Sequence, residues 1–215
     1  MINQKIAALR QDYRLATLNE REVAAHPLQQ FEHWWQEVIQ SELEEPNAMT
    51  LATSSPDGKP SARIVLLKSF NEQGFLFFTN YESRKGKEMA ANPQVSLLFF
   101  WKELERQVRI EGTVIKAPAE VSDEYFNSRP VGSRIGAIAS PQSEVIAGRE
   151  VLEDRVRELE AGHIGHAPQR PEHWGGYIVA PLEVEFWQGR SSRLHDRLRY
   201  TLESGNIWKI ERLAP

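Results

Sequence analysis

Cysteine is absent from this chain of 215 residues, and no stretch of it approaches the roughly 20 consecutive apolar residues of a membrane span. The first absence excludes a disulfide framework, a thiolate nucleophile and a cysteine-based zinc site. The second gives no reason to expect a membrane partner. The amino-terminal residues Met1–Arg10 lack the apolar core of a signal peptide, so the expected location is cytoplasmic.

The usual nucleotide and metal motifs are also missing. No G-x-G-x-x-G follows a predicted strand, and neither Gly58-Lys59 nor Gly86-Lys87 has the spacing of a P-loop. The six histidines form no H-E-x-x-H or other convincing metal set, so no metal is predicted. A net charge of −4 gives no reason to expect nucleic acid. Any anion binding must therefore come from local clusters of cations.

What is present is an ordinary globular composition, with 40% hydrophobic and 26% charged residues. No interior linker divides the chain, so one domain over residues 1–215 is predicted, with residues 1–25 as a mobile arm. The hydrophobic patterns predict five early strands joined mostly by short turns, which indicates an antiparallel barrel or sandwich with flanking helices. The predicted strands are Ala48–Thr53, Ala62–Ser69, Phe75–Thr79, Val95–Trp101 (buried on both faces) and Glu105–Val114, with later ones at Gly176–Val179, Glu183–Trp187 and Asn206–Ile210. The predicted helices are Ile2–Arg10, Pro27 to about Leu43, Ala119–Ser128 and Val145–Glu160, with Arg129–Ser143 as a loop.

The most informative stretch runs from Arg63 to Lys87. A strand is followed by the hairpin turn Asn71–Gly74, a second strand, and a helix that Ser83 caps and that stops before Pro93. Arg84, Lys85 and Lys87 fall in the first helical turn, where the macrodipole is positive and cations are unfavourable. A phosphate bound there would remove the conflict; the alternative is a solvated basic turn.

Arg63 and Lys68 differ in parity along the predicted strand. In a regular strand they face opposite sides, so they would serve two different anionic groups. We treat this as a hypothesis from spacing alone.

A second basic stretch lies near the carboxyl end, with Arg190, Arg193, Arg197 and Arg199 within ten residues. In an extended chain Arg193, His195 and Arg197 would share one face. Two guanidiniums and an imidazole suit an anionic or planar aromatic ligand, and the alternative is a solvated basic edge. A weaker set of Tyr125, Arg129 and Ser133 could bind a phosphate, and the alternative, which this triplet alone favours, is a structural role for Tyr125.

Together these stretches resemble the pyridoxine/pyridoxamine 5′-phosphate oxidase family over nearly the whole chain, from about Leu9 to the closing W-K-I-E-R-L-A-P. The most specific blocks are R-I-V-L-L-K, S-R-K, V-S-L-L-F, L-E-R-Q-V, Y-F-x-S-R-P, W-G-G, E-F-W-Q-G and R-L-H-D-R. Phe78 departs from the family pattern, where a tyrosine often precedes the threonine.

The resemblance implies a mainly β fold with flanking helices (α+β), an antiparallel FMN-binding split β-barrel that forms a homodimer. It implies FMN contacts at Arg63, Ile64, Val65, Leu66, Leu67, Lys68, Phe78, Thr79, Arg84, Lys85, Gln107, Gln142, Ser143, Trp187 and Arg197. It implies that the substrate's phosphate binds Lys68, Tyr125, Arg129 and Ser133. It places the substrate's ring against Arg193, Leu194 and His195, with Arg10, Gln11, Asp12 and Tyr13 of the amino-terminal arm closing over it.

The implied reaction oxidises pyridoxine or pyridoxamine 5′-phosphate to pyridoxal 5′-phosphate, with O2 as acceptor, hydrogen peroxide as product and ammonia released from the amine. Arg193 and His195 would be catalytic, clamping the ring against the flavin; the proton acceptor could be His195 or a water. Two alternatives stay open: a non-catalytic flavin or pyridoxal-phosphate carrier, and another flavin reductase on the same barrel. The R-L-H-D-R block discriminates, because a carrier needs no substrate clamp.

Overall fold

The structure, a computed structural model, describes residues 12–163 and 166–215. The predicted helix Ile2–Arg10 and the predicted site residues Arg10 and Gln11 lie outside this part of the chain. Among the described residues no helix is long and apolar enough to cross a membrane.

Five helices and nine strands follow one another along the described chain. The helices are α1 (Pro27–Gln40), α2 (Arg84–Ala91), α3 (Ala119–Ser128), α4 (Val131–Ala139) and α5 (Glu150–Gly162). The strands are β1 (Ala48–Ser54), β2 (Pro60–Leu66), β3 (Ser69–Asn71), β4 (Gly74–Asn80), β5 (Gln94–Trp101), β6 (Arg106–Lys116), β7 (Trp174–Gln188), β8 (Asp196–Glu203) and β9 (Ile207–Arg212). Their order in the sheet is β2-β1-β5-β6-β7-β4-β3, with β8 beside β7 and β9 beside β8.

Local chemistry explains several of the element boundaries. Pro27 occupies the first turn of α1, where its missing N–H costs nothing, and the ring of His26 accepts a hydrogen bond from the backbone of Leu28. Ser83 caps α2 by accepting a hydrogen bond from the backbone N–H of Gly86. The predicted cap and the predicted hairpin between β3 and β4 are both confirmed, the latter by the pairing of Asn71 with Gly74.

The chain divides into two compact units, which we describe separately. The first unit comprises residues up to Met49, Leu97–Glu111 and Pro181–Pro215. Its core is aromatic: Phe31 packs on Phe99, and Phe186 packs edge-on against both Trp34 and Tyr200. All five rings are buried.

The second unit comprises Thr50–Ser96 and Gly112–Ala180. Here β4 pairs antiparallel with the first half of β7, so that Phe77 lies opposite and stacks on Tyr177. Ring contacts of this kind add about 1 kcal/mol beyond the burial of their area.

Three expectations about elements are wrong. The predicted loop Arg129–Ser143 contains α4, whose Ile135 and Ala139 are buried. The two predicted strands Gly176–Val179 and Glu183–Trp187 are one strand, β7. Strand β5 is not buried on both faces, because its burial alternates and Phe100 is 54% exposed.

The chain also contains a strand that the sequence did not predict, β8, within the arginine-rich stretch. Its signature is the alternation of apolar and charged residues. Leu198 and Tyr200 are buried, whereas Arg197 and Arg199, which alternate with them, are not. That signal was present in the sequence but was hidden by the density of arginines.

Candidate functional site

A cavity of about 360 Å³ opens in the second unit, between β2, β4, α2, α3 and the segment after α4. Its walls carry four cations, and no aspartate or glutamate lines it among the described residues. Such a lining favours an anionic ligand. The lining residues are Arg63, Ile64, Val65, Leu66, Lys68, Phe78, Thr79, Asn80, Lys85, Tyr125, Arg129, Gln142 and Trp174.

Beneath one wall of the cavity, a buried carboxylate holds two arginines. Glu88 of α2 accepts hydrogen bonds from the hydroxyls of Thr53 (2.5 Å) and Ser61 (2.6 Å) and from Nε of Arg84 (2.8 Å). The guanidinium of Arg63 donates to the same two hydroxyls and lies 3.4 Å from Glu88. Burial alone would raise the pKa of Glu88, but the bonds from Ser61, Thr53 and Arg84 lower it to about 2. The carboxylate is therefore ionised and offsets part of the charge of both arginines.

Two of the cations at the start of α2, Arg84 and Lys85, have partners within the protein. Glu88, four residues after Arg84, supplies a counter-charge from within the helix. Lys85 donates a hydrogen bond of 2.8 Å to the side-chain oxygen of Gln142, and Thr79 donates to the same oxygen at 3.3 Å. Burial, followed by repulsion from Arg63, lowers the pKa of Lys85. Neither cation is simply solvated, and a bound anion at this turn stays a prediction.

The opposite wall is a stack of three aromatic rings. Tyr125 lies on Phe78 with 4.1 Å between ring centroids, and the Trp174 ring is nearly parallel to that of Phe78, with 5.4 Å between their centroids. The guanidinium of Arg129 sits 4.9 Å from the Trp174 ring, and the ammonium of Lys68 lies 5.6 Å from the Tyr125 ring.

The guanidinium of Arg129 favours an anionic ligand in this cavity. Its Nη1 atom is buried and has no hydrogen-bond partner within the described part of the chain. Burial lowers the pKa of this guanidinium. A buried donor without an acceptor costs about 1–3 kcal/mol, and an oxyanion in the cavity would satisfy it.

The parity argument for Arg63 and Lys68 does not hold. Strand β2 ends at Leu66, so Lys68 lies outside the regular strand, and both cations line the same cavity. The idea of two separate anions remains an untested hypothesis.

Four predicted residues of the second unit do not line the cavity. Leu67 is buried, and Arg84 is held by Glu88 with its side chain 64% exposed. Ser133 and Ser143 are exposed, the latter with a left-handed backbone. Conversely, Asn80 and Trp174 line the cavity without having been predicted; the W-G-G block was the available signal for Trp174.

In the first unit a second cluster forms around His195. The ring of Trp187 lies 4.6 Å from it and the ring of Tyr13 lies 6.0 Å from it. Nδ1 of His195 accepts a hydrogen bond of 3.1 Å from the backbone N–H of Arg190, so the neutral ring carries its proton on Nε2. Burial, followed by the charge of Arg193, lowers the pKa of His195. Both effects favour the neutral ring, which donates from Nε2.

The predicted common face of Arg193, His195 and Arg197 does not exist. Ser192 and Arg193 have positive φ angles of 56° and 60°, in a turn before β8, so the chain is not extended there. Arg193 and Leu194 are exposed. Arg197 makes a paired contact with the buried Glu185 at 2.7 and 3.1 Å.

The remaining predicted residues also lie in the first unit. Gln107 is half-buried on β6. Asp12 accepts hydrogen bonds from Arg14 and, at 3.4 Å, from the backbone of Ser192. The hydrogen bond from Arg14, partly opposed by desolvation, lowers the pKa of Asp12.

Comparison with known proteins covers the chain regions that carry both clusters. Residues 35–161 match the family model described as pyridoxamine 5′-phosphate oxidase, and residues 174–215 match the pyridoxine 5′-phosphate oxidase C-terminal dimerisation region. A protein of Trichormus variabilis named pyridoxine/pyridoxamine 5′-phosphate oxidase is 57% identical over 214 residues, covering 100% of both chains.

Two solved structures share the fold. PhzG from Burkholderia lata 383, in complex with tetrahydrophenazine-1-carboxylic acid, is 32% identical with a TM-score of 0.88, covering 95% of this chain and 100% of its own. A pyridoxamine 5′-phosphate oxidase-related, FMN-binding protein from Nostoc punctiforme has a TM-score of 0.68 at 15% identity, covering 90% and 100%. The predicted fold, mainly β with flanking helices on the split-barrel plan, is confirmed. By its sequence over its full length and by its fold, the chain belongs to the pyridoxine/pyridoxamine 5′-phosphate oxidase family.

Proposed function

We propose that this chain is a flavin-dependent oxidase that uses FMN to convert pyridoxine 5′-phosphate or pyridoxamine 5′-phosphate to pyridoxal 5′-phosphate, with O2 as acceptor. Family membership at 57% identity supports the reaction. The observation that carries the assignment to this cavity is the unpartnered Nη1 of Arg129 beside Lys68 and Tyr125, which suits a phosphorylated ligand. The carrier and reductase alternatives are not favoured by the relatives.

The residues present fit an FMN group. Four cations line a cavity that lacks carboxylates among its described lining, and Gln142 and Thr79 offer polar side chains beside Lys85. We propose that the flavin is bound by the segment Arg63–Lys68, which begins in β2, and by Phe78, Thr79, Arg84, Lys85, Gln142 and Ser143. We propose further flavin contacts at Gln107, Trp187 and Arg197. Bound FMN would supply the two-electron acceptor that oxygen regenerates.

For the substrate, we propose that Lys68, Tyr125, Arg129 and Ser133 bind the phosphate. We assign the pyridine ring to Arg193, Leu194 and His195, with Arg10–Tyr13 above it. His195 donates from Nε2, because its Nδ1 is already occupied by the Arg190 amide. We therefore assign removal of the substrate's proton to a water and orientation of the ring to His195.

We propose a homodimer as the working form, which the match to the C-terminal dimerisation region supports. We propose the two phosphorylated vitamins as its substrates, which the name of the 57% identical relative supports. The cytoplasmic location stays a prediction.

The test is a spectroscopic titration of the purified protein. We expect a yellow protein that bleaches when pyridoxine 5′-phosphate is added without air and recovers when air is admitted, with hydrogen peroxide released. Arg129→Leu should raise the KM for the phosphate ester at least tenfold, a loss of about 1.4 kcal/mol, while flavin absorbance is retained.

A carrier would stay yellow on adding the vitamin phosphate, and a nicotinamide-linked reductase would bleach only with its own donor. Either result would overturn the oxidase assignment. Equal activity of Arg129→Leu and the parent protein would remove Arg129 from the phosphate site.

A further inference from the structure

Gly189, in the E-F-W-Q-G block, lies against Tyr13 with no room for a side chain. A Cβ built on Gly189 would lie 2.7 Å from Cγ, 2.8 Å from Cβ and 2.9 Å from Cδ2 of Tyr13. Separations under 3.0 Å are not tolerated between carbon atoms, so one of the two residues would have to move. The backbone of Gly189 is not in the left-handed region, so the conflict with alanine there is purely one of contact.

Gly189 cannot move to relieve this contact. It is buried, and its N–H donates a hydrogen bond of 2.7 Å to the backbone oxygen of Glu105. Glu105 is itself 7% exposed and, through its carboxylate, accepts a hydrogen bond of 3.0 Å from the backbone N–H of Leu15. One residue thus fixes both Gly189 and the segment that carries Tyr13.

Rotation of the tyrosine side chain cannot relieve the conflict either, because the Cβ of Tyr13 is among the crowded atoms and does not move with χ1. The backbone at Tyr13 and in the segment after it would have to move away from Gly189. That movement would withdraw the Tyr13 ring from Trp187, which it meets edge-on at 5.8 Å, and from His195.

We propose that Gly189 is a positioning residue, whose lack of a side chain lets Tyr13 seat against Trp187 and His195. The proposal rests on the proposed function only in assigning Tyr13 and His195 to the substrate's ring. The seating itself is a property of the fold and can be measured without substrate.

The first experiment is amide hydrogen exchange of the full-length protein and three variants: Gly189→Ala, Tyr13→Ala and the control Gly136→Ala. A Cβ at Gly136 would meet nothing within 4 Å, so this control adds the same methyl group without a contact. We expect the amides of Leu15 and Leu18, bonded to Glu105 and Asp196, to exchange at least tenfold faster in Gly189→Ala and Tyr13→Ala but not in Gly136→Ala. Unchanged exchange in Gly189→Ala overturns the proposal. If Gly189→Ala does not fold, the double variant Gly189→Ala/Tyr13→Gly, which removes all three crowded atoms of Tyr13, should fold again, and its failure to fold overturns the proposal.

The second experiment is a double-mutant cycle on kcat and KM. If Gly189 acts through Tyr13, Gly189→Ala should cost about tenfold in kcat/KM alone and less than about twofold when Tyr13 is already alanine. Additive losses would show that Gly189 acts by another route and would overturn the proposal. A parent protein that shows no oxidase activity, with loosened exchange in Gly189→Ala, would overturn the proposed function and leave the seating of Tyr13 established.

Discussion

Arg197 shows what a sequence can and cannot say about a single residue. Its charge is evident from the sequence, but its partners are not: Glu185 lies twelve positions earlier on β7, and the backbone oxygen of Ala214 lies seventeen positions later. Glu185 also lies 2.8 Å from Arg109, so this buried carboxylate joins two strands to β7. Several arginines that suggested ligand binding by their density therefore have intramolecular partners.

His195 provides the residue-scale prediction. Because the Arg190 amide occupies Nδ1, a glutamine at this position should reproduce the donor at Nε2, whereas an asparagine places its amide nearer Nδ1. We expect His195→Gln to keep kcat within about tenfold and His195→Asn to lose about a hundredfold.

Steady-state rates between pH 5.5 and 8.5 would check this, with the exposed His33→Gln as the matched control. Equal, large losses in both His195 variants would contradict the donor role and restore His195 as the base.

At the scale of elements, the sequence predicted those segments whose boundaries depend on local chemistry. Ser83 and the Asn71–Gly74 turn satisfy backbone groups within a few residues, and Pro27 has no N–H that would need a partner at the start of α1, so the pattern and the structure agree there. Helix α4 escaped prediction because two glycines and a serine lower the helix propensity of V-G-S-R-I-G-A-I-A, and its helical form depends on burying Ile135 and Ala139.

The single strand β7 was missed for a different reason. Ala180-Pro181-Leu182 resembles a turn, yet β7 pairs with β4 up to Val179 and with β8 from Glu183 onward. Pro181 falls between the two ladders, where its missing N–H breaks neither.

The element-scale prediction concerns α2 and acid. The pKa of Glu88 is about 2 in the folded protein against an ordinary value of 4.5, so its stabilising effect is fully present above pH 4.5 and is lost as the pH falls towards 2. Glu88→Gln should lower the free energy of unfolding by about 3 kcal/mol at pH 7, and the deficit should shrink at pH 3.

Urea unfolding at pH 7, 4.5 and 3 measures this deficit, with the exposed Glu82→Gln as a control for removing one negative charge nearby. If the deficit in unfolding free energy of Glu88→Gln stays constant from pH 7 to pH 3, the ionisation of Glu88 does not stabilise the fold and the prediction is wrong.

At the scale of the whole molecule, alternation and turn spacing predicted an antiparallel barrel or sandwich, and the family resemblance was needed to choose the split barrel. The sites were less accessible, because they depend on which side chains meet after folding. Resemblance named Arg129 and Tyr125, but only the structure shows the stack on Phe78 and Trp174 and the unpartnered Nη1. The chain divides into two compact units, and that it forms a single domain stays a prediction.

The whole-molecule prediction is the oligomeric state. The chain mass is 24.7 kDa, and the matched C-terminal dimerisation region leads us to expect a species of about twice that mass. Sedimentation velocity at micromolar and nanomolar concentrations would measure it. A single species of 24.7 kDa at the higher concentration would contradict the homodimer.

Arg212 fastens together parts of the first unit that are remote along the chain: it bonds Glu20, Asp196 and the backbone oxygen of Leu18. During synthesis on the ribosome, these bonds cannot form until strand β9, which carries Arg212, has emerged. By then every residue of the second unit has long been available. Trp34 of helix α1 must consequently wait for most of translation before Phe186 arrives to pack against it, so the nascent chain exposes this apolar surface after the residues of the second unit have all been made.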